Sequence, residues 1–253
     1  MNNQTDLIEY LLRLGDSALI QGQRLCQWCG KAPALEEELA LMNVGLDLVG
    51  QARNWLDYAA ELLDDGRSAD DLAFRRDERA YRNLLLVEQP NGDYAVTILK
   101  QFLYDAWHLS VLSGLSQSSD ERIAGIAAKA VKEVTYHLRR SGEWIERMGD
   151  GTEESHKRML AAIPEVWRFT IELIAADDSE QRLCNAGITP DSASVAAQWQ
   201  AKVEQIFTSA TLPVPAAANY FYLNARKGLH SEHLGILLAE MQFLPRAYPD
   251  ATW

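Results

Sequence analysis

Cysteine is scarce in this sequence: Cys26, Cys29 and Cys184 are the only three in 253 residues. So few build no disulfide framework and fit a reducing compartment. Cys26 and Cys29 form a C-x-x-C, but no second pair completes a zinc set, and both read as packing thiols. Long apolar runs are missing as well. No uncharged apolar stretch reaches roughly 18 residues, which excludes a membrane-spanning helix. The N-terminal MNNQTDLIEY has neither the basic nor the apolar region of a signal peptide. Basic charge is in deficit, with 24 Lys and Arg against 36 Asp and Glu and a net charge of −12. That balance argues against nucleic acid and anionic membranes as partners. A cytoplasmic location is the expectation. A glycine-rich phosphate loop, convincing strand patterns, repeats and low-complexity segments are also absent.

What is present is helical periodicity from end to end. The chain is long enough for a sizeable core, and a single domain over residues 1–253 is expected. The central stretch is Pro33–Leu63, with Pro33 suited to a first helical position and Glu36, Glu37 and Glu38 in the first turns. Leu35, Leu39, Met42, Leu46, Val49, Leu56, Ala60 and Leu63 form one apolar stripe. Leu41, Val44, Leu48, Trp55 and Leu62 form a second, so burial against more than one neighbour is expected. Asn43, Asp47, Gln51 and Asn54 make a polar seam between them. A first helix is predicted over Thr5–Cys29, with Gly30 at its C-terminal turn. After a connection over Asp64–Gly92, in which Ser68 caps a short helix, a third long helix runs over Asp93–Leu115. A fourth is capped by Ser119 and ends near Met148. Further helices are predicted over Thr152–Ala176 (bent at Pro164), from Asp191 to about Ala210, and from near His230 to before Pro245.

Two helices, a long connection and two more helices is the ferritin-like order of four-helix bundle, here a core of about residues 5–148 with additional C-terminal helices over about 152–247. A di-iron site on that fold takes carboxylates from the first and third helices and a Glu-x-x-His from each of the second and fourth. The sequence does not supply them. The second helix reads Asp47-Leu48-Val49-Gly50-Gln51. The fourth holds His137, but Val134 stands three residues before it. The third offers Asp105 and His108.

The stretches LRLGD, GLDLVGQARNWLDYAAEL, LAFRRDER, NLLLVEQPNGD, YDAWH, KEVTYHLR and KGLHSEHLG, in this order, resemble the PaaC family, one of the component families of the bacterial phenylacetyl-CoA epoxidase (ring 1,2-phenylacetyl-CoA monooxygenase). The resemblance covers the whole chain. It implies a ferritin-like, non-catalytic structural subunit with no cofactor of its own, beside a catalytic sister subunit that carries the di-iron centre. Matched to the sister's motifs, the former ligand positions are Ala18, Leu48, Gln51, Asp105, Val134 and His137. Two of the six keep a ligand type, Asp105 and His137, and two do not hold an iron pair. The implied partners are the catalytic subunit and the other subunits of the complex; alone, the chain is expected to pair with itself by the same surface.

The competing reading is a di-metal protein with an unusual ligand set of Asp47, Asp105, His108 and His137. Lesser candidates have plainer explanations. Glu153 and His156 lie in the first turn of an outer helix and read as a solvated face. His230, Ser231, Glu232 and His233 read as helix capping and contact between subunits. Arg75, Arg76 and Arg79 could meet the phosphates of coenzyme A, but read first as a salt-bridged, solvated face.

Overall fold

The computed structural model describes residues 3–175, 177–216 and 224–251. Among them the only β pairing is an isolated bridge between Asn224 and Leu229. The described residues divide into two compact units, 3–90 with 224–251, and 91–175 with 177–216. The predicted extra helices fall in different units: those up to residue 216 pack with the third and fourth long helices, and the last ones with the connection that follows the second.

In the first unit, helix α1 (Asn3–Cys26) pairs with α2 (Leu35–Leu63). The pairing is antiparallel and tight because two glycines meet. A Cβ on Gly22 would stand 3.1 Å from the Gly45 carbonyl oxygen, and one on Gly15 would stand 2.8 Å from Leu56. Leu41, Val44, Leu48 and Trp55, fully buried, form the inner face of α2. Helix α1 stops at Cys26, not Cys29; Gly30 (φ 76°) ends the turn that follows. Ala34, not Pro33, precedes the first residue of α2, so the proline lies outside it. The connection carries α3 (Ala69–Phe74), where Ser68 and Asp71 close the capping box, and α4 (Leu85–Glu88). At the other end of the chain lie α11 (Glu232–Met241) and α12 (Phe243–Ala247). Pro245 sits within α12 rather than ending the previous helix, which a first-turn proline allows.

The second unit is built around α5 (Tyr94–Leu115), capped by Asp93 and apolar on nearly every side. It packs against α6 (Glu121–Gly149), α7 (Glu153–Trp167) and α10 (Ser192–Ser209). Asp120 caps α6; Ser119, the expected cap, instead bonds the Ala186 carbonyl. Pro164 is accommodated inside α7, and the chain continues as a 3-10 turn (Arg168–Thr170) and α8 (Ile171–Ile174); the expected end at Ala176 lies outside the described residues. The short α9 (Asp178–Asn185), capped by Asp177, was not legible in the sequence.

Gly114 is where α5 meets the start of α10. A Cβ there would come within 2.4 Å of the Pro190 Cβ, an atom of a rigid ring. Gly114→Ala is expected to lose about 1–3 kcal/mol in urea unfolding. Gly142→Ala, whose Cβ would find nothing nearer than 3.5 Å, is the control, unchanged or up to about 1 kcal/mol more stable.

Candidate functional site

The positions in the first unit that the resemblance matches to ligands are apolar or amide. Ala18 on α1 and Leu48 on α2 have no exposed surface, and Gln51 is buried one turn beyond Leu48. Gln21, a turn after Ala18, is buried, and neither of its amide atoms has a hydrogen-bond partner among the described residues. The expected polar seam of α2 is not a buried seam. Only Gln51 lies inside; Asn43 is exposed, and Asp47 and Asn54 are half-buried. The reason is geometric: α1 takes the face of α2 that carries Gly45, Leu48 and Ala52, and the seam runs off its edge.

In the second unit Asp105 and His108 on α5, and His137 on α6, are all fully buried. Ser141 donates to Asp105 Oδ2 at 2.8 Å. Burial pushes the Asp105 carboxyl up to about 6, against the opposing pull of the His137 charge and the Ser141 bond. The Gln101 amide also draws it down. Burial pushes His108 down to about 3, and the nearby His137 charge adds to the effect. Neither ring nitrogen of His108, nor the Tyr104 hydroxyl, has a hydrogen-bond partner among the described residues. The Tyr104 and His108 rings lie 4.9 Å apart, and burial raises the Tyr104 phenol well above its ordinary range. Gln101 and Tyr104 escape a search by ligand type. Their spacing of −4 and −1 from Asp105 is the signal, since it places them on the same face of α5 as His108. Val134, one turn before His137, is also fully buried.

A carboxylate and an imidazole thus stay close in a dry interior, while three of the six positions are alkyl. Among the described residues no three His, Cys, Asp or Glu side chains gather so as to hold a metal ion. The competing set of Asp47, Asp105, His108 and His137 is not assembled as a ligand cluster. The residues present do not fit a di-iron pair: alanine, leucine and valine offer no donor atom.

The remaining candidates are structural. His156 caps the α6 terminus, its Nδ1 2.6 Å from the Gly149 carbonyl oxygen. His230 is locked inside the first unit. Its Nδ1 meets Glu88 Oε2 at 2.8 Å and its Nε2 meets the Tyr81 carbonyl oxygen at 3.0 Å. Glu88 accepts further bonds from Asn83 and from the amide and hydroxyl of Ser231. The Tyr81 carbonyl can only accept, so Nε2 of His230 donates to it. The expectation for the arginines needs correction. Arg75 and Arg79 are exposed, but Arg76 is buried and paired with Asp16. Cys26 is half-buried and Cys29 exposed, both as free thiols. Burial raises the Cys26 thiol, with Cys29 adding to it.

Paired long helices, a long connection, and a buried polar cluster where the third and fourth helices meet define an all-α protein of the ferritin-like class. Within that class, the family described as "Phenylacetic acid catabolic protein" (PaaA_PaaC) matches residues 1–253. The chain belongs to this family. It is 52% identical, over 247 residues, to the C component of the 1,2-phenylacetyl-CoA epoxidase of Escherichia coli (strain K12); the match covers 98% of this chain and 99% of that relative. No helix among the described residues is long and apolar enough to cross a membrane.

Proposed function

We propose that this chain is a non-catalytic, cytoplasmic subunit of a multicomponent phenylacetyl-CoA epoxidase in aerobic phenylacetate catabolism. It pairs with the catalytic subunit that carries the di-iron centre and supports it mechanically. The observation that carries this reading is the state of the former ligand positions, where fully buried Ala18, Leu48 and Val134 fill space that ligands would occupy. The di-iron centre of the catalytic subunit supplies the oxygen chemistry. The contribution of this chain is a packed, rigid neighbour, which a reactive site needs to keep its geometry. The buried Asp16–Arg76 and Glu88–His230 pairs serve that rigidity by tying the connection and the C-terminal helices to α1.

Metal analysis of the chain alone, and of its complex with the catalytic subunit, tests the proposal. The isolated chain is expected to hold no stoichiometric transition metal, and the active complex about two irons per catalytic subunit. Omitting this chain should abolish epoxidation of phenylacetyl-CoA by the reconstituted complex. Stoichiometric metal in the isolated chain, or full activity without it, overturns the reading.

A further inference from the structure

Packing explains only one cysteine of the C-x-x-C. Cys26 is half-buried at the end of α1, its sulfur beside Gly45 of α2, where a Cβ would stand 3.0 Å from it. Cys29 is exposed as a free thiol, and a surface cysteine adds reactivity and no packing. The way α1 ends is what brings the two together. The Gln27 amide still donates to the Gln23 carbonyl in α fashion. After it the Trp28 amide donates to the Leu25 carbonyl at 3.0 Å, and the Cys29 amide to the Cys26 carbonyl at 3.1 Å. Bonds over three residues are those of a 3-10 turn, in which side chains three apart eclipse. Three residues of such a turn rise about 6 Å, within the span of roughly 4.4–6.8 Å between Cα atoms that a disulfide bridges. Cys29 is also near enough for its charge to raise the Cys26 thiol.

We infer that Cys26 and Cys29 are a reversible modification site, a dithiol that a low-molecular-weight disulfide such as oxidised glutathione converts to an intramolecular disulfide. Cys29, as its thiolate, attacks one sulfur of the oxidant. A bond forms between Cys29 and that sulfur, the oxidant's own S–S bond breaks, and one glutathione leaves as a thiolate. Cys26 then gives its proton to water and attacks Cys29 Sγ; the Cys26–Cys29 bond forms and the second glutathione leaves. The chain has lost two electrons and two protons, and one oxidised glutathione has become two reduced ones. The order follows from access. Cys29 is exposed, whereas Cys26 is half-buried and its raised thiol makes it the poorer first nucleophile. The place of the pair sets its character. A helix N-terminus stabilises a thiolate, and a C-x-x-C there gives up its disulfide easily; this pair stands at a helix C-terminus, whose carbonyls disfavour the thiolate. Once formed, the disulfide is therefore kept rather than passed on, which suits a modification site and not an oxidoreductase centre. In a reducing compartment the pair rests as two thiols and closes when the disulfide pool rises. The bond fixes the turn that leads from α1 towards α2. The inference is independent of the role proposed in the epoxidase.

The full chain, reduced and then held in oxidised glutathione, tests it by alkylation and mass spectrometry of its peptides. Cys26 and Cys29 are expected to become resistant to alkylation together, in a peptide lighter by the two hydrogens lost, and dithiothreitol should restore both thiols. This mapping is made on the parent and needs no variant to fold. Cys26→Ser should stop at the first step, with at least about tenfold more glutathione on Cys29 than in the parent, because the neighbouring thiol that resolves the adduct is gone. Cys29→Ser should slow the loss of the Cys26 thiol at least about tenfold. Cys184→Ser is the control and should leave the disulfide yield unchanged. Circular dichroism of the reduced variants checks their fold. Glutathione retained on Cys29 of the parent beside a free Cys26 overturns the inference. So does a bond from Cys29 to a second chain, a yield that falls with Cys184→Ser, or a parent that does not react.

Discussion

Replacing Arg76 with methionine is expected to cost about 3–5 kcal/mol of folding stability, because the change strands Asp16 as a buried charge. Asp16 sits on α1 with no exposed surface, and Arg76 follows α3. One guanidinium nitrogen of Arg76 reaches Asp16 Oδ2 at 3.1 Å and the other reaches Oδ1. The rest of the guanidinium is used as well. It donates to the Leu72 and Ala80 carbonyls and lies 4.4 Å over the Tyr81 ring. Burial alone would make Arg76 easier to deprotonate, but the Asp16 charge and hydrogen bonds outweigh it and hold the guanidinium charged. Asp16 also accepts the Arg82 amide at 2.8 Å. One carboxylate therefore fastens the start of the connection to the first long helix. Asp16→Leu should be as costly as Arg76→Met, for the mirror-image reason. The double variant should recover part of the loss, since two apolar groups leave no buried charge, though the Arg82 amide stays unserved. Urea unfolding of the four proteins gives the coupling, expected on the order of 2 kcal/mol. Additive losses would show that the pair does not act as a unit.

Nothing in the local sequence announced that pair. Arg75, Arg76 and Arg79 form a basic cluster in a charged stretch, and such clusters are usually solvated. The partner gave no hint either: Asp16 lies about half a turn from both Leu14 and Ala18, on the opposite side of α1 from the stripe of Leu7, Leu11, Leu14 and Ala18, where a carboxylate reads as solvated. The long helices were legible because their periodicity is set by their own contacts. The ends were less so: Ser119 and Asp120 are both competent caps, and the structure uses the second. The two stripes of α2 show a deeper limit. Periodicity finds apolar faces but does not say whether a face is buried by the chain's own core or by a partner. The inner stripe of Leu41, Val44, Leu48 and Trp55 packs on α1; the stripe from Leu35 to Leu46 does not. Of the positions that the resemblance matches to ligands, Leu48 and Val134 were legible as core: both are buried as apolar residues should be. The polar stripe of α5 beyond Asp105 and His108 was not, because glutamine and tyrosine are not metal ligands and draw attention only once their burial is known.

That stripe has a consequence for acid stability, in which two groups oppose each other. Folding raises Asp105 from 3.8 to about 6, so between those values the native carboxyl holds a proton that the unfolded one has lost. Its contribution is full below pH 3.8 and is lost as the pH rises through about 6. Folding lowers His108 from 6.5 to about 3, so over the same interval the unfolded ring is protonated and the native ring is not. Its contribution is full above pH 6.5 and is lost as the pH falls. Each changes stability by about 1.4 kcal/mol per pH unit, with opposite sign, so between about pH 4 and 6 they cancel. Single variants should unmask the slopes. Asp105→Asn, which keeps an acceptor for Ser141, should lose about 2 kcal/mol relative to the parent as the pH falls from 6 to 4, and be more stable than the parent near pH 7. His108→Leu should gain a similar amount over the same fall, and the double variant should run parallel to the parent. Urea unfolding of the four proteins at pH 4 and 6 decides it, and four parallel profiles would refute the opposition. Neither effect needs a metal. Asp105 and His108 share one face of α5 in a dry interior, and burial disfavours the charged form of each, which is why their contributions run in opposite directions with pH.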